Sequence, residues 1–129
     1  MSKMWWLNKN PPTAPTVEEK KGLITINEIE KIHDLSQKHL IQFTDHASKR
    51  ASERSIDILN DILPALQNCD IIEEYPEDYP YKSFLVLGFT LSQKPIHIVC
   101  AIVNDVLWII TEYFPDTTKW ESDFKTRKE

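Results

Sequence analysis

A short charged run in the middle of the chain carries the side chains best suited to phosphate chemistry. His46, Arg50 and Arg54 recur at intervals of four residues, with Glu53 beside them. In a helix, these intervals place all of them on roughly one side. Arginine offers paired donors to a phosphate, and histidine exchanges a proton near neutral pH. Periodicity alone favours the simpler alternative, which is a solvated helix face with an Arg50–Glu53 ion pair.

The second candidate for proton transfer is His97, which interrupts the apolar residues of a predicted strand from the opposite face. A single histidine in a strand is usually a core or rim residue, so its role depends on what the next strand brings to it. Across a two-residue loop at 104–105, His97 would face Glu112. Across a three-residue loop it would face Tyr113, with Thr111 diagonal on the same side. The sequence leaves both registers open.

The hydrophobic periodicity predicts an α+β domain with its helices first. A helix over 25–40 has capping-box spacing between Thr25 and Glu28. A second helix over 46–54 starts near Thr44 or Asp45. Asp57 caps a third helix, which Pro64 must kink or restart because proline lacks the amide hydrogen.

The second half of the chain predicts an antiparallel sheet. Its β-branched and aromatic segments are a short strand at 71–72 and longer ones at 83–91, 95–103 and 106–114. The last two are nearly continuously apolar, which indicates that both of their faces are covered. Trp120 and Phe124, four residues apart, predict a final amphipathic helical turn that lays two aromatic rings on the sheet.

Length and composition indicate one domain. The 129 residues suit a single folded unit over 23–129, preceded by a flexible, proline-rich arm at 1–22. The net charge of −5 weighs against nucleic-acid binding. Residues 55–80, however, hold seven acids and no Lys or Arg, so the rest of the chain sums to −5 + 7 = +2. The favoured interpretation of this acidic stretch is a solvated face, and the alternative is a docking surface for a basic partner.

Other classes of site have little support in the sequence. Two cysteines, Cys69 and Cys100, make no disulfide framework, and Cys100 fits a buried thiol. No Cys or His spacing indicates a metal site, and we expect no cofactor. The sequence has no signal-peptide core and no stretch of membrane-spanning length, so a cytoplasmic location is expected.

Four short motifs resemble a bacterial family, the domain of unknown function 4258. They are Thr-Asp-His-Ala-Ser-Lys-Arg-Ala-Ser-Glu-Arg-Ser-Ile at 44–56, Ser-Phe-Leu-Val-Leu-Gly at 83–88, Ile-His-Ile-Val at 96–99 and Ile-Ile-Thr-Glu-Tyr-Phe-Pro at 109–115. The resemblance covers roughly residues 43–128, including the Lys-Trp-Glu-x-Asp-Phe-Lys-x-Arg tail. The four motifs occur in order and at suitable spacing.

The resemblance implies a fold, a site and a partner. The family looks like part of the RelE-like and barnase-like ribonuclease superfamily, with helices packed on a four-stranded antiparallel sheet. Members are often encoded beside a zinc-finger, helix-turn-helix antitoxin of the MqsA type. The chain departs from the family pattern at Ser55, where Gly is frequent, which changes a turn. The pattern carries over onto His46, Arg50, Arg54, His97, Thr111 and Tyr113.

The function expected from this resemblance is that of a type II toxin acting as a metal-independent endoribonuclease. His46 and His97 would divide the acid and base roles, Arg50 and Arg54 would clamp the phosphate, and Tyr113 would orient or donate. One alternative is a non-catalytic module that binds RNA or protein through the same arginine-rich face. Another is a structural role, with the acidic stretch and Trp5-Trp6 as docking surfaces.

Overall fold

The structure, a computed structural model, describes residues 27–129. Helix α1 spans Glu28–Gln37, and its first turn is capped by Asn27, whose Oδ1 accepts a hydrogen bond from the Ile29 amide at 3.0 Å. The predicted cap at Thr25 and the predicted arm at 1–22 lie outside the described residues. No helix among residues 27–129 is long and apolar enough to cross a membrane.

Helix α2 and the π-helix that follows it begin where their capping residues predict. Helix α2 spans Asp45–Glu53, and the Thr44 hydroxyl accepts from the Ala47 amide at 2.9 Å. Asp57 accepts from the Asn60 amide at 2.7 Å and opens a π-helix over Ile58–Ile62. Helix α3, Leu63–Gln67, continues from it with Pro64 in its first turn, where no amide hydrogen is needed. Of the two predicted outcomes at this proline, a kink or a restart, the structure shows a restart.

The sheet has five strands and is mixed. In chain order they are β1 Ile41–Phe43, β2 Asp70–Tyr75, β3 Ser83–Phe89, β4 Pro95–Val103 and β5 Val106–Tyr113. Their spatial order is β1-β5-β4-β3-β2, antiparallel throughout except for the parallel pair β1 and β5.

The α+β class is confirmed, but the predicted four-stranded antiparallel sheet is wrong. The fifth strand, β1, has three residues and lies between α1 and α2, so it is too short to show a period-2 pattern. It forms because Ile41 and Phe43 pack against the core while their backbone pairs with Leu107–Ile109 of β5. A connection through α2 and the remaining strands makes this pairing parallel.

Each face of the sheet is covered by a different layer, as the apolar strands predict. On one face, Ile98 and Leu107 pack with Ile32, Ala47 and Ala51 of the helices. On the other face, Val99 and the other strand residues whose side chains point away from the helices pack with Trp120, which belongs to the segment after β5. We call residues 115–129 the C-terminal segment.

The C-terminal segment has no helix, so the predicted final helical turn is wrong. Trp120 is 3% exposed and packs on the sheet as expected, but Phe124 has a left-handed backbone with φ of 58°. Short turns hold the segment instead: Asp116 accepts from the Thr118 amide at 2.8 Å and Asp123 from the Lys125 amide at 2.9 Å. Aspartates that bond the backbone locally in this way compete with helix formation.

Candidate functional site

The loop between β4 and β5 is a two-residue turn. Asn104 and Asp105 both have left-handed backbones, with φ of 50° and 59°, and Val103 pairs with Val106 on either side of them. Two such residues in succession are typical of tight hairpins, and Asn and Asp tolerate this conformation better than most side chains. With no further irregularity, this loop would have put His97 opposite Glu112.

A β-bulge changes that register. It lies between the pairs made by Val99 and Cys100 of β4, and it leaves one extra residue in β5. His97 is therefore paired with Tyr113, and Glu112 is paired with Ile98 on the helix-covered face. The pairing with Tyr113 is one of the two that the sequence leaves open, reached by a bulge instead of a longer loop.

His97 is completely buried and both of its ring nitrogens are engaged. Its Nε2 lies 2.7 Å from the carbonyl oxygen of Phe124, and its Nδ1 lies 3.3 Å from the Tyr113 hydroxyl. A carbonyl only accepts, so Nε2 must carry the hydrogen. Burial lowers the pKa of His97, which favours the neutral ring. In that tautomer, Nδ1 accepts the proton of the Tyr113 hydroxyl.

Tyr113 and Trp120 enclose this imidazole. The Tyr113 ring meets the His97 ring at a centroid distance of 5.3 Å and the Trp120 ring at 4.5 Å, both edge-to-face. Burial raises the pKa of Tyr113, and the charges of Arg127 and Arg54 oppose that shift. Tyr113 itself is half-buried, so it is the more accessible member of its pair with His97.

The three cationic candidates on and next to α2, His46, Arg50 and Arg54, differ in exposure and in hydrogen-bond partners. His46 is exposed near the start of the helix. Arg50 Nη1 donates to both carboxylate oxygens of Glu53 at 3.1 Å, which is the ion pair expected for a solvated face. Arg54, the capping residue at the end of α2, instead reaches the sheet and donates to the backbone carbonyl of Glu112 at 2.5 Å.

Arg54 reaches this carbonyl because β1 is short. β1 pairs with β5 only as far as Ile109, which leaves the later carbonyls of β5 without a strand partner on that side. The Thr44 hydroxyl donates to the Ile110 carbonyl at 3.2 Å, and Arg54 donates to the Glu112 carbonyl. The two ends of α2 are therefore tied to the open edge of β5.

The sequence names Glu112 only as an alternative neighbour of His97 and assigns it no functional role. Its side chain is 0% exposed and, among residues 27–129, neither carboxylate oxygen has a hydrogen-bond partner. Burial raises its pKa to about 7, and the nearby charge of Arg54 opposes that shift. The available sequence signal was a charged residue, Glu112, in a strand that is otherwise apolar and aromatic apart from Thr111.

We expect Glu112 to make stability depend on pH. Its pKa is about 7 in the folded state against 4.5 ordinarily, so the folded protein binds more protons between these values. Stability should therefore fall as pH rises from about 4.5 to about 7, and level off above. Glu112→Gln removes this loss and should be more stable than wild type at pH 8 by about 1–2 kcal/mol, after allowance for partial solvation.

Urea unfolding of both proteins at pH 5 and pH 8 measures this effect. The difference in unfolding free energy between Glu112→Gln and wild type should be larger at pH 8. A constant difference across the range would mean that Glu112 does not change protonation between these pH values.

The structure brings some of the predicted site residues together and keeps others apart. His97 and Tyr113 are in contact, and Thr111 projects from the same face of β5, where it is half-buried. His46 belongs to α2, which packs through its alanines on the opposite face. The two imidazoles therefore do not share one cleft. Arg54, at the open edge of β5, is the link between the helix and the Tyr113 end of the sheet.

The other titratable candidates give no sign of reactivity. Burial raises the pKa of Cys69 to about 12 and places that of Cys100 well above its usual range, so both thiols are protonated at neutral pH. Within the described part of the chain, no three His, Cys, Asp or Glu side chains are grouped as ligands for a metal ion.

The comparison with known families agrees with the motifs. The family described as Domain of unknown function (DUF4258) matches residues 43–114, from the last residue of β1 to just past β5. No curated protein and no solved structure matches the chain. The matched stretch is more than half of the 129 residues and includes α2, Glu112 and the His97–Tyr113 pair. The chain belongs to the DUF4258 family.

Proposed function

We propose that this protein is a metal-independent endoribonuclease of the toxin type, related to the RelE-like and barnase-like ribonucleases. The observation that carries the proposal is the position of Arg54. Its guanidinium lies at the open edge of β5, where it acts electrostatically on Tyr113, and the hydroxyl of Tyr113 is held by a buried imidazole. A cation beside a proton-bearing side chain is suited to a phosphate that gains charge.

In RNA cleavage of this kind, the ribose 2′-hydroxyl attacks the adjacent phosphorus and the 5′-oxygen leaves. We assign the phosphate to Arg54, since its guanidinium provides donors beyond the one used by the Glu112 carbonyl. Tyr113 gives a proton to the leaving oxygen. His97 acts as a positioning residue, because it is buried and holds the Tyr113 hydroxyl through Nδ1.

His46 is assigned the complementary role of accepting the 2′-hydroxyl proton. It is the exposed imidazole on the helix that ends at Arg54, two turns earlier, which corresponds to about 12 Å along the axis. Because the 2′-hydroxyl and the phosphorus that it attacks belong to one nucleotide, this role requires the His46 and Arg54 side chains to extend towards each other along α2 until both reach that nucleotide. Arg50 receives no role because Glu53 engages it, and Thr111 lines the Tyr113 face.

The partner we propose is an antitoxin protein of the zinc-finger, helix-turn-helix type, encoded beside this protein. This part of the proposal is supported by the family resemblance alone. A gene for such a protein next to the gene for this chain would support it, and co-purification of the two products would test it.

A non-catalytic module that binds RNA or protein is the second candidate. Two observations favour it: His97 is 0% exposed with both nitrogens engaged, and His46 lies on the helix-covered side of the sheet. Such a module would use the cationic side of α2 without transferring a proton.

Induced expression in bacteria separates the two candidates. The nuclease proposal predicts growth arrest with shortened transcripts, and loss of both effects in His46→Ala and Tyr113→Phe. Lys49→Ala, an exposed substitution on the same helix, is the control and should still arrest growth. Normal growth with intact transcripts in cells that contain folded wild-type protein would contradict the nuclease and favour the binding module.

A further inference from the structure

The C-terminal segment covers the face of the sheet that carries His97 and Tyr113. Trp120 packs edge-on against the imidazole at 4.5 Å, and the Phe124 carbonyl takes the Nε2 hydrogen at 2.7 Å. This segment begins just after residue 114, where the family match ends. The cover therefore lies outside the residues that the family model matches, on one half of the proposed site.

The far end of this segment is fastened to the edge strand β2 by ion pairs. Arg127 donates to Glu73 through Nε at 2.7 Å and through Nη2 at 3.0 Å, and Lys125 Nζ lies 3.3 Å from Asp70. Arg127 also lies over the Trp120 ring, at 4.6 Å from its centroid. Both ion pairs reach the solvent, with Arg127 58% and Lys125 50% exposed.

The two ion pairs differ in strength, because Arg127 binds Glu73 through two nitrogens and Glu73 also accepts from the Tyr75 hydroxyl, whereas Lys125 and Asp70 make one exposed contact. Solvent-exposed ion pairs contribute little to stability and are screened by salt. Beyond Trp120, the segment has no helix or regular strand, and its backbone hydrogen bonds are local. Turns form around Asp123, and the amides of Glu121 and Lys128 donate to the carbonyls of Thr126 and Lys119 at 2.8 and 2.9 Å. Trp120, in contrast, is 3% exposed and packs in the core. Residues 121–129 can therefore lift from β2 while Trp120 stays in place, once the Lys128–Lys119 hydrogen bond of the Trp120–Arg127 bridge opens.

We infer that residues 121–129 form a displaceable cover, fastened by Glu73 and Asp70, which must lift before His97 becomes accessible and its Nδ1 can donate to the Tyr113 hydroxyl instead of accepting from it. Lifting separates the Phe124 carbonyl from His97 Nε2. Without that acceptor the ring hydrogen is no longer held on Nε2, so Nδ1 can carry it instead. RNA is suited to open it, because its phosphates compete with Glu73 and Asp70 for Arg127 and Lys125. The claim that this cover regulates RNA cleavage rests on the proposed function.

Chemical labelling of the imidazoles tests the cover without any RNA. Diethyl pyrocarbonate acylates accessible histidines, and peptide mass spectrometry reports His97 and the exposed His46 separately in the full-length chain. In Glu73→Gln at low salt, the labelling rate of His97 should rise about two- to fivefold relative to wild type, while that of His46 stays constant. Sodium chloride should raise the His97 rate in wild type more than in Glu73→Gln.

Glu74→Gln is the matched control. Glu74 neighbours Glu73 on β2 and loses the same charge, but it pairs with Lys82 at 3.3 Å and not with the C-terminal segment. The His97 rate in Glu74→Gln should equal that of wild type. Equal His97 rates in Glu73→Gln, Glu74→Gln and wild type would overturn the cover. A rise confined to Glu73→Gln, in protein that cleaves no RNA, would support the cover and contradict the proposed function.

Discussion

Replacing Arg54 with alanine is expected to lower the rate of RNA cleavage by about 10²–10³-fold, the usual effect of removing one donor that stabilises transition-state charge. Two residues flank α2 and donate side-chain hydrogen bonds to β5: Thr44 at its start and Arg54 at its end. Within the described part of the chain, no such bond is seen from the residues of α2 between them. Removing Arg54 also leaves the Glu112 carbonyl without that donor. Steady-state cleavage of a fluorogenic oligoribonucleotide by purified protein measures the loss.

Arg50→Ala tests whether position, and not charge, makes Arg54 important. Both substitutions remove one guanidinium from α2, but Arg50 is engaged by Glu53 at 3.1 Å. We expect Arg50→Ala and Lys49→Ala to remain within about threefold of wild type at physiological salt, as for exposed charges. An equal loss in Arg50→Ala and Arg54→Ala would support the two-arginine clamp of the sequence pattern instead.

Gly88→Ala is expected to destabilise the fold by about 3 kcal/mol, at the upper end of the usual cost of overpacking a core. Gly88 lies in β3 directly under α3. A Cβ at this position would lie 2.3 Å from the Ala65 carbonyl oxygen and 2.7 Å from the Ala65 Cβ. Since the obstacle is helix backbone, the helix must move away from the sheet.

Urea unfolding measures this loss through the midpoint and the slope of the transition. Leu91→Ala is the control, since Leu91 is 67% exposed in the neighbouring turn and should change stability by less than about 0.5 kcal/mol. A Gly88→Ala protein as stable as wild type would mean that α3 does not approach β3 as closely as the structure shows.

Local chemistry explains the parts of the fold that the sequence predicts correctly. Thr44 and Asp57 cap helices because their side chains accept from free amides nearby in the chain. The strands of the second half are recognisable because their residue types favour a pleated, buried surface. The strand β1 is missed because three residues contain too little pattern, and its partner in β5 is distant in the chain.

The site is less predictable because it depends on a single irregularity in the sheet. The pairing of His97 with Tyr113 requires the bulge at Val99 and Cys100, and the residues around it are ordinary strand residues. Because successive side chains of a strand point to opposite faces, Glu112 then lies on the face covered by the helices. The burial of His97 beneath the C-terminal segment depends on turns and on ion pairs distant in the chain.

Product analysis of RNA cleaved by the purified protein in EDTA is the most direct test of the proposed nuclease. The proposed mechanism predicts fragments ending in a 2′,3′-cyclic phosphate, because the 2′-hydroxyl attacks the phosphorus without a metal ion. A substrate with 2′-deoxyribose at the cleaved position should remain intact, and Tyr113→Phe should form the same product more slowly. The absence of cleavage by folded wild-type protein, or equal cleavage of the deoxy substrate, would contradict it.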